Sequence, residues 1–195
     1  MALTKTQDVN ILTVQQVAAG AVVNSSVWSV ADYLEALIAV QIGRDDTGGA
    51  LTSGVIVRIQ ASPKSTGDDC WQDLRTYQTN ITNPESEAVT GGGSSGQAAM
   101  TVSSLTNLSI GDLVLIKNST IANSEFHRIK GSSAGTVTVD DNLTNSQASS
   151  TIYDQAEKFA DIVPVMSFAR LRVQIDNAAN ARTIVAEAKA SAGTI

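Results

Sequence analysis

Apolar and polar residues alternate along much of this chain, a period of two that places successive side chains on opposite faces of an extended strand. The clearest run is Ala169-Arg170-Leu171-Arg172-Val173-Gln174-Ile175-Asp176. Ala169, Leu171, Val173 and Ile175 face a core, and Arg170, Arg172, Gln174 and Asp176 face away. Thr183 to Ala190 repeats the pattern, with Ile184, Ala186, Ala188 and Ala190 inward and Thr183, Glu187 and Lys189 outward. Asp176 to Ala181, rich in Asn and Asp, lies between the two as a turn, so the pattern predicts a C-terminal β-hairpin.

Upstream, Tyr33 to Arg44 and Gly54 to Ser62 are two strands separated by the Asp45-Asp46-Thr47-Gly48-Gly49 loop. Leu34 to Ile42 also suits a short helix by residue propensity, but its alternation and its end at Gly43 favour a strand. Further strands are expected at Val9 to Val14, Val17 to Val23, Val27 to Val30 and Trp71 to Thr79. The total of roughly eight suits a two-sheet sandwich or jelly roll.

The pattern changes at Asn83-Pro84-Glu85-Ser86 and at the run Gly91-Gly92-Gly93-Ser94-Ser95-Gly96, a flexible connection or exposed loop tip. A compact set of strands follows: Ala98 to Val102, Leu108 to Ile116, Phe126 to Lys130 and Thr136 to Val139. Gly131 to Gly135 is a hairpin loop between the last two. The expected fold is therefore all-β: a β-sandwich or jelly-roll-like outer domain of residues 1–83 plus 152–195, with residues 84–151 inserted as a small β-barrel. Exposed loop tips of small polar residues are where such insertions are tolerated.

Composition narrows the chemistry. The chain has 195 residues, one Cys, one His, and 13 basic against 19 acidic residues, for a net charge of -6. The charged share of 16% is low, and Ser plus Thr outnumber all charged residues. Cys70 alone permits neither an intramolecular disulfide nor a multi-thiolate zinc site, and His127 alone permits no multi-histidine metal site. The acidic balance argues against phosphate-backbone binding, so no nucleic acid is expected. No stretch reaches the ~18 consecutive apolar residues of a membrane span, and the N-terminus lacks a secretory core, so a soluble protein made in a cytoplasm is expected.

Candidate chemistry is sparse. His127, in Glu125-Phe126-His127-Arg128-Ile129, comes without a nucleophile elbow and reads as a surface or edge-strand residue rather than a triad member. Asp68 and Asp69 beside Cys70 oppose a thiolate, so Cys70 reads as a small, partly buried thiol at a strand start. The pairs Asp45-Asp46, Asp68-Asp69 and Asp140-Asp141 lack EF-hand spacing and read as solvated turns ahead of a calcium site. Gly91 to Gly93 is not followed by the Lys-Ser/Thr of a phosphate loop. Trp28, Trp71, Tyr33, Tyr77 and Tyr153 are the only Trp and Tyr residues for a sugar platform, and core packing is the commoner fate of Trp28. No catalytic, cofactor-binding or metal residues are assigned, no cofactor is expected, and an enzyme is not expected.

Gly54-Val55-Ile56-Val57-Arg58-Ile59-Gln60 and Ala169 to Asn177 resemble strands of structural proteins of tailed-bacteriophage particles. Ile110-Gly111-Asp112-Leu113-Val114-Leu115-Ile116 and Thr136-Val137-Thr138-Val139-Asp140 resemble the small barrels embedded in phage head and tail components. The resemblance implies a virion structural protein, first a capsid cement or decoration protein that binds the major capsid protein, often as a homo-trimer. A tail, neck or baseplate component is the runner-up, and a carbohydrate-binding sandwich comes third. Ala2 to Val14 is either an arm adding a strand to a neighbour or an ordinary first strand.

Overall fold

The computed structural model describes residues 4–5, 9–49, 51, 53–68, 70–81 and 83–194. The protein is all-β. Its strands are β1 (Thr4–Lys5), β2 (Val9–Val17), β3 (Val22–Asn24), β4 (Trp28–Ser29), β5 (Glu35–Arg44), β6 (Ile56–Ser62), β7 (Gln72–Gln78), β8 (Ser86–Gly92), β9 (Ala99–Val102), β10 (Leu113–Lys117), β11 (Glu125–Ser133), β12 (Thr136–Val139), β13 (Thr151–Tyr153), β14 (Glu157–Pro164), β15 (Arg170–Asp176) and β16 (Ile184–Thr194).

Two five-stranded sheets face each other. The first runs β1-β16-β5-β14, with β2 also on β16; the second runs β3-β15-β6-β7, with β4 also on β15. Their inward residues share one core, in which Ile38, Val40 and Ile42 of β5 and Ala186 and Ala188 of β16 meet Val57 and Ile59 of β6 and Leu171, Val173 and Ile175 of β15. Each of these side chains is at most 1% exposed, so each large aliphatic contributes about 1.5–3 kcal/mol of burial. The alternation in Ala169 to Asp176 thus does what its period dictates: Leu171, Val173 and Ile175 are buried, and their neighbours stand on the outer face.

The C-terminal hairpin does not form. β15 lies in the second sheet and β16 in the first, so residues 177–183 arch across the core instead of turning within one sheet. Both strands need the same core, and it is reached from opposite sides. Asn177, fully buried, fixes the arch by donating its side-chain amide to the Ala18 carbonyl at 3.0 Å and the Arg182 carbonyl at 2.8 Å. The expected strand Val17 to Val23 is also replaced: β2 runs through to Val17, and a turn with Gly20 at φ 74° precedes β3. The segment expected as arm or first strand is, from Val9 onward, strand β2 on β16 of the same chain.

The outer edges of the sandwich are laced where β7 and β14 meet. Tyr77 stacks on Phe159 at 5.1 Å, its hydroxyl donates to Asp161 at 2.8 Å, and Arg75 pairs with the same carboxylate at 2.6 Å. Burial, reinforced by the Asp161 carboxylate, pushes the Tyr77 phenol up to about 12.

Between β7 and β14, six antiparallel strands close a barrel in the order β10-β11-β12-β9-β8-β13. It has its own core, including Met100, Val114, Ile116, Ile129, Val137 and Ile152. β11 and β12 join through a two-residue turn, Ala134 at φ 49° and Gly135 at φ 79°, the left-handed pair a tight hairpin requires. The triglycine run is not a free tip: Gly91 and Gly92 belong to β8, and the register slips between Val89 and Gly91. The barrel's last strand runs to Tyr153.

The barrel sits on the outer face of the first sheet. Leu115 and Phe126 of the barrel pack with Val185 of β16 and with Ala156, and Lys117 reaches Asp45 of the sandwich at 3.1 Å. Gly43 makes this approach feasible, since a Cβ there would lie 2.8 Å from Leu115 Cβ and 3.2 Å from the Phe126 ring. Gly43→Ala should therefore cost about 1–3 kcal/mol in urea unfolding. Adding Leu115→Ala should cost less in that background than alone, and strictly additive losses would show that the two residues do not meet.

Candidate functional site

A groove of about 520 Å³ separates the barrel from the first sheet; Gln41, Lys158, Glu187 and Lys189 line the sheet side, and His127 and Asp140 the barrel side. His127 lies on β11, which pairs with both β10 and β12 and so is no edge strand, and it is only 8% exposed. The expectation of a surface or edge-strand histidine is corrected on both counts. The register sets His127 opposite Val114 and Glu125 opposite Ile116. Cross-strand neighbours share a face, and Val114 and Ile116 belong to the barrel core, so His127 and Glu125 take the barrel's inward side.

Two carboxylates clamp the imidazole. Nε2 lies 3.2 Å from Glu125 Oε2, and Nδ1 lies 3.2 Å from Asp140 Oδ1. With an anionic acceptor at each nitrogen, the favoured species is the imidazolium, which donates from both. Burial alone pulls the His127 pKa down, but hydrogen bonds and charge from Glu125 and Asp140 lift it above its ordinary value.

Glu125 is the more strongly held partner. Its carboxylate also accepts the Thr144 and Asn145 amides at 2.9 and 2.8 Å and the Gln147 side-chain amide at 2.8 Å. Burial pushes the carboxyl up, yet these donors and His127 overcome it and hold the pKa at about 2. Asp140 accepts the Arg128 amide at 3.1 Å, and its side chain is 47% exposed, so solvent screens its share. Burial raises its pKa, and the Arg128 amide with His127 brings it below the usual carboxylate range.

This cluster is a fastener. It ties β11 to the end of β12 and to residues 144–147. A general base needs a free lone pair on a ring nitrogen, and both nitrogens here are committed to carboxylates. Ser124, the hydroxyl nearest to His127 in sequence, is buried and accepts the Asn118 amide at 3.0 Å. Both ring nitrogens of His127 are thus engaged by carboxylates, and Ser124 is not among its partners.

The remaining candidates are dispersed. Asp45 is engaged by Lys117 and by Gln16 at 2.7 Å, and Asp46 by Arg44 and Arg182, so this pair meets cations of the chain itself. Asp140 serves His127, and Asp69 lies outside the described residues. No group of three or more potential metal ligands occurs among the described residues. Cys70 is half-buried just before β7. Trp28 packs against the sandwich core and stands 5.6 Å from Tyr33, while the Trp71 ring lies under the guanidinium of Arg172 at 4.1 Å and near that of Arg170 at 5.0 Å. Both rings are thus engaged by side chains of the chain itself.

One feature was not singled out from sequence. Leu37 of β5 and Ile162 of β14 are directly paired on the outer face of the first sheet, 43% and 56% exposed. The next outward pair is Ala39 and Ala160, followed by Gln41 and Lys158. The face therefore grades from an apolar patch into the groove and ends beneath the barrel at Gly43. Alternation indicated that Leu37 points outward but not whether anything covers it.

No family model matches the sequence, and no curated protein does. Among solved structures the chain is similar to the SPBc2 prophage-derived protein YomS, with 10% identity, TM-score 0.31, and coverage of 100% of this chain and 96% of that one. It is also similar to VP17, a capsid protein of bacteriophage P23-77, with 11% identity, TM-score 0.21 and full coverage of both chains. A third is the VP2 subviral particle of infectious bursal disease virus, with 8% identity, TM-score 0.24, and coverage of 99% of this chain and 41% of that one. At such scores the likeness assigns this chain neither a fold family nor a function. No helix of the described residues is long and apolar enough to cross a membrane.

The fastener has a defined pH window. The His127 pKa is raised by folding, so its contribution is complete below about 6.5 and is lost as pH rises through the folded value. The Glu125 pKa is lowered, so its contribution is complete above about 4.5 and is lost as pH falls toward about 2. Thermal unfolding should show the cluster at full strength between those limits. His127→Gln should cost about 3 kcal/mol there and flatten the decline on the alkaline side. Parallel pH profiles for the two proteins would refute the clamp.

Proposed function

We propose that this chain is a non-enzymatic structural protein of a tailed-bacteriophage virion, a cement or decoration protein that binds the major capsid protein and stabilises the head. The observation that carries the reading is the exposed pair Leu37 and Ile162 on the outer face of the first sheet. Large apolar side chains adjoining in the open mark a surface for another protein, and an extended sheet face suits broad contact better than it suits a small substrate. The sequence resemblance of the sandwich strands and of the barrel strands to phage head and tail components supports the same reading.

On this reading, residues 84–151 are an inserted module carried by the outer body of 1–83 plus 152–195, and the Gly43 contact with Lys117–Asp45 holds the two in one orientation. A fixed orientation lets a small protein bridge neighbouring subunits without losing interdomain freedom on binding. Assembly as a homo-oligomer, a trimer among the forms, belongs to the proposal, as does location in the virion. A tail, neck or baseplate position would use the same face with a different neighbour. The covered rings of Trp28 and Trp71 weigh against the carbohydrate-binding alternative.

The purified protein should bind expanded empty capsids of its own phage and raise their disruption temperature. Leu37→Asp with Ile162→Asp should weaken binding at least about tenfold while leaving the circular dichroism spectrum unchanged, because both side chains face solvent. Undiminished binding by the double variant would remove this face from the proposal. Absence of capsid binding together with immunogold labelling at the tail would select the tail position.

A further inference from the structure

The opposite face of the sandwich carries the strongest unassigned feature. On the outer side of the second sheet, Arg170 and Arg172 stand two residues apart on β15, both over the Trp71 ring. Most other arginines of the chain meet a carboxylate: Arg44 and Arg182 pair with Asp46, Arg58 with Asp73 and Asp176, and Arg75 with Asp161. Arg170 and Arg172 make no such pair among the described residues. Two adjacent like charges repel each other, and the nearby Asp68 and Asp73 act on Arg172 without forming an ion pair with it.

Both guanidiniums are held in place. Arg170 donates its Nε to the Lys64 carbonyl at 2.6 Å and one terminal nitrogen to the Gly67 carbonyl at 2.5 Å. Arg172 donates its Nε to Gln60 Oε1 at 2.8 Å, and Gln60 is itself oriented by donating to Asp73 at 2.7 Å. The Trp71 ring, 4.1 Å away, completes the support of Arg172. Its two terminal nitrogens have no hydrogen-bond partner among the described residues. A planar, immobilised guanidinium edge with unspent donors matches a carboxylate bidentately and has already lost the side-chain freedom that binding would otherwise cost.

We infer that the Arg170–Trp71–Arg172 face is a docking site for an acidic segment of a partner protein, with Arg172 receiving a carboxylate through its unspent edge and Arg170 adding the second positive charge. Charge favours a protein carboxylate over a nucleic acid. Asp68 and Asp73 lie close enough to act on Arg172, and their negative charge repels a polyanion more strongly than a single carboxylate. Burial and the neighbouring Arg170 both weaken the hold of Arg172 on its proton, and an incoming carboxylate would relieve that. Trp and Arg are also the residue types that dominate binding energy at protein interfaces. This site is independent of the virion reading and lies on the other sheet from Leu37 and Ile162.

The test uses the full chain, isotopically labelled, and follows the Arg Nε–H and Trp71 indole N–H resonances. An acetylated, amidated peptide of alternating glutamate and glycine is titrated in, and then its glutamine counterpart. Saturable shifts at Arg172 and Trp71 with the glutamate peptide alone are expected. Arg172→Gln should weaken binding at least about tenfold, and Arg172→Lys, which keeps the charge but not the fork, should remain several-fold weaker than the parent. No saturable shift at millimolar peptide, an equal response to the glutamine peptide, or undiminished binding by Arg172→Gln each overturns the inference. A response to inorganic phosphate or to an oligothymidylate as strong as that to the glutamate peptide also overturns it, in favour of a phosphate site.

Discussion

One end of the first sheet is covered on both faces, and the rest of the architecture follows from that double cover. At Ile42 the sheet faces the sandwich core, and at Gly43 the next residue faces the barrel. β16 repeats the arrangement, with Ile184 and Ala186 on the core and Val185 against the barrel. A strand buried on both faces cannot slip by one residue without placing a side chain where only a hydrogen fits. The register of β5 against β16 and the seat of the barrel are thus fixed by one contact, and the open stretch around Leu37 is what remains of the same face once the barrel has taken its end.

Period-two alternation marked the core-facing sets of β15 and β16 because local geometry alone decides which side chains share a face. It could not decide which strands pair. β15 and β16 look like a hairpin, since two alternating runs joined by an Asn-rich turn satisfy every local rule for one. Their separation into two sheets is set by a core that must be closed from both sides, and by the bonds of Asn177 to residues remote in sequence. Gly43 read as the end of a strand, although its missing side chain serves a contact with Leu115 and Phe126, far along the chain.

The candidate sites divide along the same line. Arg170 and Arg172 were legible as outward-facing residues, but their seat on Trp71, and the absence of a carboxylate paired with them among the described residues, depend on the loop before β7. His127 was misplaced because charged neighbours in sequence suggested a surface, and the barrel instead turns Glu125 and His127 inward while the segment after β12 brings in Asp140. A single histidine is a weak signal by itself. Its meaning came from two carboxylates, one of them thirteen residues further along the chain.

The pairing pattern also dictates an order of events during synthesis. Among the described residues β5, an inner strand of its sheet, pairs with β14 and β16 alone, and β2 with β16 alone. All the partners of the first sheet therefore leave the ribosome after the whole barrel has emerged. Until then the first seven strands can form just the β6–β7 ladder, while the barrel, whose pairings all fall between Ser86 and Tyr153, can close on its own. A growing chain carries a finished barrel next to unpaired, strongly apolar strands, the state in which β-proteins are most exposed to aggregation. Fast delivery of the last forty residues matters more to this protein than its modest length suggests.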